Sequence, residues 1–297
     1  MKKSKLLIFI IILTIVLAAC SSNNSNDSEK KKQTTKKDEM RVAEMMQQDK
    51  THIWFVAPEI KTGELESDTA INRFIVTKNG KMKVYVAKTV PEQTMQKMLK
   101  LSNEDLLKEI KKQDKDNYET TKNFAIGDTQ TEIDETKRYM EEGKDEYRPK
   151  QNFGYALMRE EGHNEQPEDS LQKLKDYKTK LENAEYKAPK SKKVDLGYSS
   201  DSEESITVER NYNLPKAVAH GDETDSNLEV LSFNNPFQPI DINGNKLAGL
   251  SYSSGNEDEE NNDQSPYLIT KVNDEIKNVT LDDPKHPAVK ENEAKSE

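Results

Sequence analysis

Apolar residues are sparse along this chain, and where they gather they do so at two distinct spacings. Ile53, Trp54, Phe55 and Val56 form a short continuous run. Residues 71–77 and 81–86 follow, and in the second of these Met82, Val84 and Val86 alternate with Lys81, Lys83 and Tyr85. Alternation at period two puts one face against a core and the other toward water. Asn79-Gly80 stands between the two segments. Asn-Gly supplies the two positive-φ residues of a tight turn, so the pair predicts an antiparallel hairpin. Further strand candidates lie at 194–198, 205–212, 228–233, 239–242, 246–252, 267–272 and 276–281, with Asn243-Gly244 and Asn273-Asp274 as hairpin turns.

Elsewhere the spacing changes to three and four. Residues 38–49 predict a short helix with Val42, Ala43, Met45 and Met46 near one face and Asp38 as its cap. Pro91 suits a first helical turn, and Met95, Met98 and Leu99 give an apolar stripe. Ser102 followed by Asp105 reads as an N-cap with an acid three residues on, with Leu101 and Leu106 at the staple positions. That helix continues through Ile110 to about Tyr118 or Phe124. Gly127-Asp128 predicts a break and a new cap, after which Ile133, Thr136, Lys137 and Met140 resume helical spacing up to Gly143. Residues 143–166 read as a connector with a short helix near 155–161. Pro167-Glu168-Asp169 opens another helix, with Leu171, Leu174, Tyr177 (or Lys178), Leu181 and Ala184 on one face.

The predicted fold class is α+β. Antiparallel sheet or hairpins stand at both ends of the body (39–90 and 189–282), and a hairpin of two or three helices is inserted between them (91–188). Residues 283–297, charged and carrying Pro284 and Pro287, read as a disordered tail.

The N-terminus carries a different signal. Lys2, Lys3 and Lys5 precede a mostly apolar run over 6–17. A membrane-spanning helix needs roughly 20 apolar residues, so this run suits the core of an export signal. Leu17-Ala18-Ala19-Cys20 follows in register. Small residues let a peptidase hold the chain extended, and the thiol after them can form a thioether. These four residues resemble the lipobox of bacterial lipoproteins. The resemblance implies that residues 1–19 are a signal peptide recognised by signal peptidase II through Leu17, Ala18 and Ala19. It also implies that Cys20 receives a diacylglycerol thioether, with acyl chains such as palmitate, which anchors the protein to the outer face of the cell membrane. Two acyl chains suffice for stable attachment where one does not. The lysine- and asparagine-rich look of the whole resembles lipoproteins of unassigned activity from low-GC Gram-positive bacteria, and it implies nothing further about the body.

Cys20 is the only cysteine, so no internal disulfide can form. Residues 20–38 are polar and aperiodic and read as a tether with a reach of about 25–30 Å. Lys30, Lys31, Lys32, Lys36 and Lys37 make it locally basic. The chain carries a net charge of −10, which becomes −13 once the three signal lysines are removed. Nucleic-acid binding depends on cationic contacts to phosphate, and this balance argues against it. Leu, Ile, Val and Phe make up roughly 17% of the mature chain, a range associated with disorder. The composition predicts a modest core, solvated helices and no large apolar pocket.

Candidate chemistry is thin. His52, His163, His220 and His286 are scattered without zinc-like spacing. Asp241, Asn243 and Asn245 imitate the start of a calcium loop, but Lys246 and Tyr252 stand where a glycine and a glutamate are needed. Glu257, Asp258, Glu259, Glu260 and Asp263 could gather a cation weakly, although a solvated loop is the simpler reading. Trp54 could anchor a ligand, although a core position is simpler. No nucleophile or phosphate-loop motif is present, and no catalytic residue, metal or cofactor is expected. The reading that follows is a membrane-anchored, non-enzymatic binding module whose partner is an envelope or host protein. The alternatives are an envelope enzyme whose site forms only in three dimensions, and a spacer whose helices hold the β part away from the membrane.

Overall fold

The computed structural model describes residues 38–58, 65–87, 94–142, 167–198, 203–209, 214–215, 228–252 and 266–291. All belong to the compact unit Thr35–Glu297. The chain enters through β1 (Glu39–Met40) and α1 (Val42–Gln47), and reaches β2 (His52–Ala57), β3 (Arg73–Lys78) and β4 (Lys81–Val86). Two helices follow, α2 (Met95–Leu99) and α3 (Asn103–Glu142), and then α4 (Pro167–Glu182). The rest is strand: β5 (Lys192–Lys193), β6 (Leu196–Tyr198), β7 (Glu204–Glu209), β8 (Leu228–Phe233), β9 (Asn235–Ile242), β10 (Asn245–Ser251), β11 (Tyr267–Lys271), β12 (Asn278–Val279) and β13 (Val289–Glu291). The class is α+β, with the helical hairpin between two β-rich segments as the periodicity predicts.

Every residue of β2 is buried, which explains its unbroken apolar run. It lies at the centre of an antiparallel sheet of order β5-β4-β3-β2-β11-β10-β9. Trp54 and Val56 face one side, with Ile75, Leu250 and Leu268. Ile53, Phe55 and Ala57 face the other, with Phe74, Leu247 and Ile269. The first face is covered by α1 and by Ile206, Val208, Leu231 and Phe233 of a four-stranded sheet, β13-β6-β7-β8. The second is covered by Met95, Met98 and Leu99 of α2 and by Leu106 and Ile110 of α3. A strand alternating between two covered faces buries its side chains on both, which is why the run from Ile53 to Ala57 is apolar throughout.

Both Asn-Gly turns form. Asn79 and Gly80 have φ of 52° and 66°, and Asn243 and Gly244 have φ of 53° and 74°. Asp241 Oδ1 accepts the Gly244 amide at 2.9 Å, so Asp241 and Asn243 serve the turn. Gly249 is required for another reason: a Cβ there would overlap the Leu268 carbonyl oxygen and lie 2.9 Å from Ile269 Cα. The Ser102 cap also forms, with the Asp105 amide donating to Ser102 Oγ at 3.2 Å and the hydroxyl donating to Asp105 Oδ2 at 2.8 Å.

Four expectations are corrected. The break at Gly127-Asp128 does not occur, because α3 runs unbroken for 40 residues. One interior glycine costs a helix only about 1 kcal/mol, and packing against α4 on both sides of Gly127 outweighs that. Asp38 does not cap α1. Its carbonyl instead accepts the Lys277 and Asn278 amides at 2.8 and 3.1 Å, and the α1 N-terminus is met by Asp282 Oδ2 on the Ala43 amide at 2.7 Å. Asn273-Asp274 is a turn but joins no hairpin, since β12 leaves β11 and pairs with β1 in parallel. The tail from 283 is structured as far as Glu291: β13 pairs in parallel with β6, and Lys290 Nζ forms an ion pair with Asp195. The predicted roles of Pro91 and of 143–166, and the end of the tail from 292, lie outside the described residues.

Candidate functional site

At 1.5 Å per residue, α3 is about 60 Å long. Only its first part serves the sandwich. Leu106 and Ile110 pack under the large sheet. One turn on, Asp114 is buried and fastens three elements together: Oδ1 accepts the Val86 amide at 2.8 Å and Oδ2 accepts the Tyr186 hydroxyl at 2.7 Å. β5 pairs only with Lys81 and Met82 of β4, so Asp114 meets the outer edge of that strand where β5 has ended. Tyr118 then stacks edge-on against Tyr186 at 5.6 Å. Burial, and then the bond to Asp114, hold the Tyr186 phenol above its ordinary range.

Beyond Tyr118, α3 packs on α4. Ala125 meets Tyr177 and Leu181, and Thr129, Ile133 and Thr136 continue the buried stripe. Ser170, Leu174, Tyr177 and Leu181 supply the facing stripe on α4 at coiled-coil spacing. Tyr177 therefore takes the seam position, and Lys178 reaches across to Gln130 Oε1 at 2.8 Å. The seam is short of apolar atoms, and two of its hydroxyls bond back to their own helix: Thr129 donates to the Ala125 carbonyl at 2.6 Å and Thr136 to the Glu132 carbonyl at 2.8 Å. Glu132 beside it is pushed up to about 7 by burial, with Glu135 and Asp128 adding repulsion. Phe124, next to seam residue Ala125, is 67% exposed, and Met140 near the far end is 37% exposed.

A second feature is a cleft of about 40 Å³ lined by Lys50, His52, Asn103, Leu106 and Lys271, among others. That volume holds a water or two. Two of its polar side chains are engaged in the fold: His52 Nε2 pairs with Gln48 Oε1 at 2.9 Å, and Lys271 Nζ donates to the carbonyls of Leu99 and Leu101 at 2.8 and 3.3 Å. Burial, with Lys50 nearby, lowers His52 to about 4, so it is neutral at pH 7. A third feature is the buried pair Glu204 and Asp282, in which the Asp282 amide donates to Glu204 Oε1.

Of the residues singled out in the sequence, Trp54 is fully buried and its Nε1 donates to Thr77 Oγ1 at 2.9 Å, so it is a core residue and closed to a partner. His286 Nδ1 accepts the Ala288 amide at 3.2 Å in the turn before β13. Leu17, Ala18, Ala19, Cys20, His163, His220, Glu257, Asp258, Glu259, Glu260 and Asp263 lie outside the described residues. Among the described residues no group of three or more His, Cys, Asp or Glu side chains could hold a metal ion. No described helix is long and apolar enough to cross a membrane.

Asp114 and the pair Glu204–Asp282 were not anticipated. Asp114 carried a usable signal, since positions 106, 110, 114 and 118 share one helical face with Leu106 and Ile110. Glu204 and Asp282 carried none, being two carboxylates among 55 acidic residues with 77 positions between them. Compared with known proteins, the chain matches no family model, no curated protein and no solved structure.

Proposed function

We propose that this protein is a lipid-anchored, non-enzymatic binding module of the outer membrane face, and that the α3–α4 hairpin is the part it presents to a macromolecular partner. The observation that carries this reading is the length of α3 past Tyr118. Twenty-four residues, about 36 Å of helix, add nothing to the two cores of the sandwich. Phe124 projects outward from this stretch, and Met140 is part-exposed near its far end. Anchoring rests on the lipobox-like residues 17–20 and on the polar stretch after Cys20. The cleft at His52 lends an enzymatic reading no support, because it is too small for a substrate and its His52 and Lys271 side chains bond within the fold.

Lys122 Nζ reaches the Ala184 carbonyl at 2.9 Å, so the two ends of the hairpin are adjacent and can be spliced. The mature chain and a variant with residues 123–183 replaced by a short Gly-Ser turn are crosslinked to envelope extract. The intact chain should enrich a discrete partner and the spliced variant should not, although its sandwich still unfolds cooperatively. Equal enrichment by both would remove the hairpin from the proposal. The spacer reading draws on the same helix length and predicts that equal result.

A further inference from the structure

Two buried carboxyl groups meet where the C-terminal segment crosses the start of the folded body. Glu204 opens β7 and Asp282 follows β12, and their exposures are 3% and 4%. Asp282 Oδ2 is occupied by the Ala43 amide at the head of α1, and the Asp282 amide binds Glu204 Oε1. Asp282 Oδ1 is buried and, among the described residues, has no donor unless Glu204 carries a proton. Among the described residues, few charged groups face the pair. Arg41, beside α1, is the cation, and its Nε is already bound to Glu39 at 3.1 Å. Glu44, in the first turn of α1, adds negative charge toward Asp282. Glu39 in turn accepts the Thr280 hydroxyl at 2.8 Å, on the same C-terminal segment.

A carboxylate removed from water without enough donors is raised above its ordinary range. Burial does this to both groups, Glu204 further than Asp282, and for Glu204 the charge of Asp282 adds to it. The Ala43 amide and Arg41 act the other way on Asp282. Two carboxylates in contact cannot both ionise at little cost when one shared arginine faces them.

We propose that Glu204 and Asp282 hold one proton between them and act as a latch that fastens the strap of residues 278–291 over β1 and α1. With the proton in place, Glu204 donates to the vacant Asp282 oxygen and the strap is closed. When that O–H bond breaks and the proton passes to solvent base, two like charges face each other. The strap then separates, taking β12 from β1 and the cap from α1. The residues released, 39–43, follow directly on the stretch read as the tether, so the latch governs the end of the body nearest the anchor. The closed state binds more protons than the open one. Opening is therefore favoured as pH rises above the ordinary carboxylate range, and the strap is firmest in mild acid.

Hydrogen exchange on the mature chain tests this, with peptides covering 278–291 followed at pH 5.5 and pH 9 and corrected for base-catalysed intrinsic exchange. Strap protection should fall at least about tenfold, the equivalent of one pKa unit of linkage, and by more than protection in β2. Glu204→Gln keeps an oxygen acceptor and can donate to Asp282 at any pH, so its strap protection should be nearly flat. If that variant does not fold, infrared spectroscopy of the wild-type chain at pH 7 must show the carbonyl band of a buried protonated carboxyl that disappears by pH 10. Strap protection that changes less than twofold, a Glu204→Gln variant with wild-type pH dependence, or the absence of a protonated carboxyl band would each overturn the latch.

Discussion

Replacing Asp114 with alanine tests whether one buried carboxylate joins the helical hairpin to the sandwich. The change strands two donors at once, the Val86 amide and the Tyr186 hydroxyl, which now sit 2.8 and 2.7 Å from the carboxylate. A hydrogen bond to a charged group contributes about 1.5–3 kcal/mol, and a buried donor left unmet costs about 1–3 kcal/mol. Relief of the desolvated charge offsets part of this, so Asp114→Ala should destabilise the protein by about 3–4 kcal/mol. Tyr186→Phe leaves the Val86 bond intact and should cost about 1.5–2 kcal/mol. Combined, the two should fall short of additivity by about 1–2 kcal/mol, because each removes the same bond. Asp114→Asn keeps an acceptor for Val86 and lets the tyrosine hydroxyl turn to accept, at about 1 kcal/mol. Urea unfolding of the mature chain, followed by far-ultraviolet ellipticity, measures all four. An Asp114→Ala cost below 1 kcal/mol, or full additivity with Tyr186→Phe, would show that the carboxylate does not couple these elements.

Three further outcomes are expected. His52 is held neutral, so its folded pKa of about 4 lies below the unfolded value of 6.5. Its contribution is complete above pH 6.5 and is lost as pH falls toward 4, by up to about 2–3 kcal/mol, and the acid limb of a thermal-melt series should flatten in His52→Gln. Gly127→Ala should stabilise α3 by up to about 1 kcal/mol, because nothing lies within 4 Å of the added Cβ, whereas Gly249→Ala should cost more than about 3 kcal/mol through its clash with the β11 backbone; a thermal melt of each checks the sign. Cys20→Ser should abolish labelled palmitate incorporation and release the protein from the membrane fraction, and retention of the label would refute lipidation at that residue.

Much of the fold was legible because its signals are local. Period-two alternation and two Asn-Gly pairs located β3, β4, β9 and β10, and the Ser102 cap with its leucine staple located the start of α3. What was misread depends on distant partners. Gly127 is a stop signal only for an isolated helix, and α4 supplies the packing that carries the helix through it. The α1 cap comes from Asp282, 239 positions beyond Ala43, and no local pattern could announce it. β13 is three residues of charged tail held by pairing with β6. The candidate surface was half visible: the exposed helices were read correctly, but an uninterrupted α3 carrying Phe124 outward emerged only once the false break was removed. Trp54, weighed as an anchor for a ligand against the simpler core position, takes the core position, because its unbroken apolar neighbourhood belongs to a strand covered on both faces.

In the proposed function the hairpin meets a partner while the chain is held at the membrane. A photoreactive residue placed at Phe124, in cells carrying the intact protein, tests it most directly, with a second probe at exposed Lys78 on β3 as the control. A discrete crosslinked species should form from position 124, be absent from position 78 and be lost when Cys20→Ser frees the chain. Crosslinking at 124 no stronger than at 78, or unchanged by release from the membrane, would contradict it.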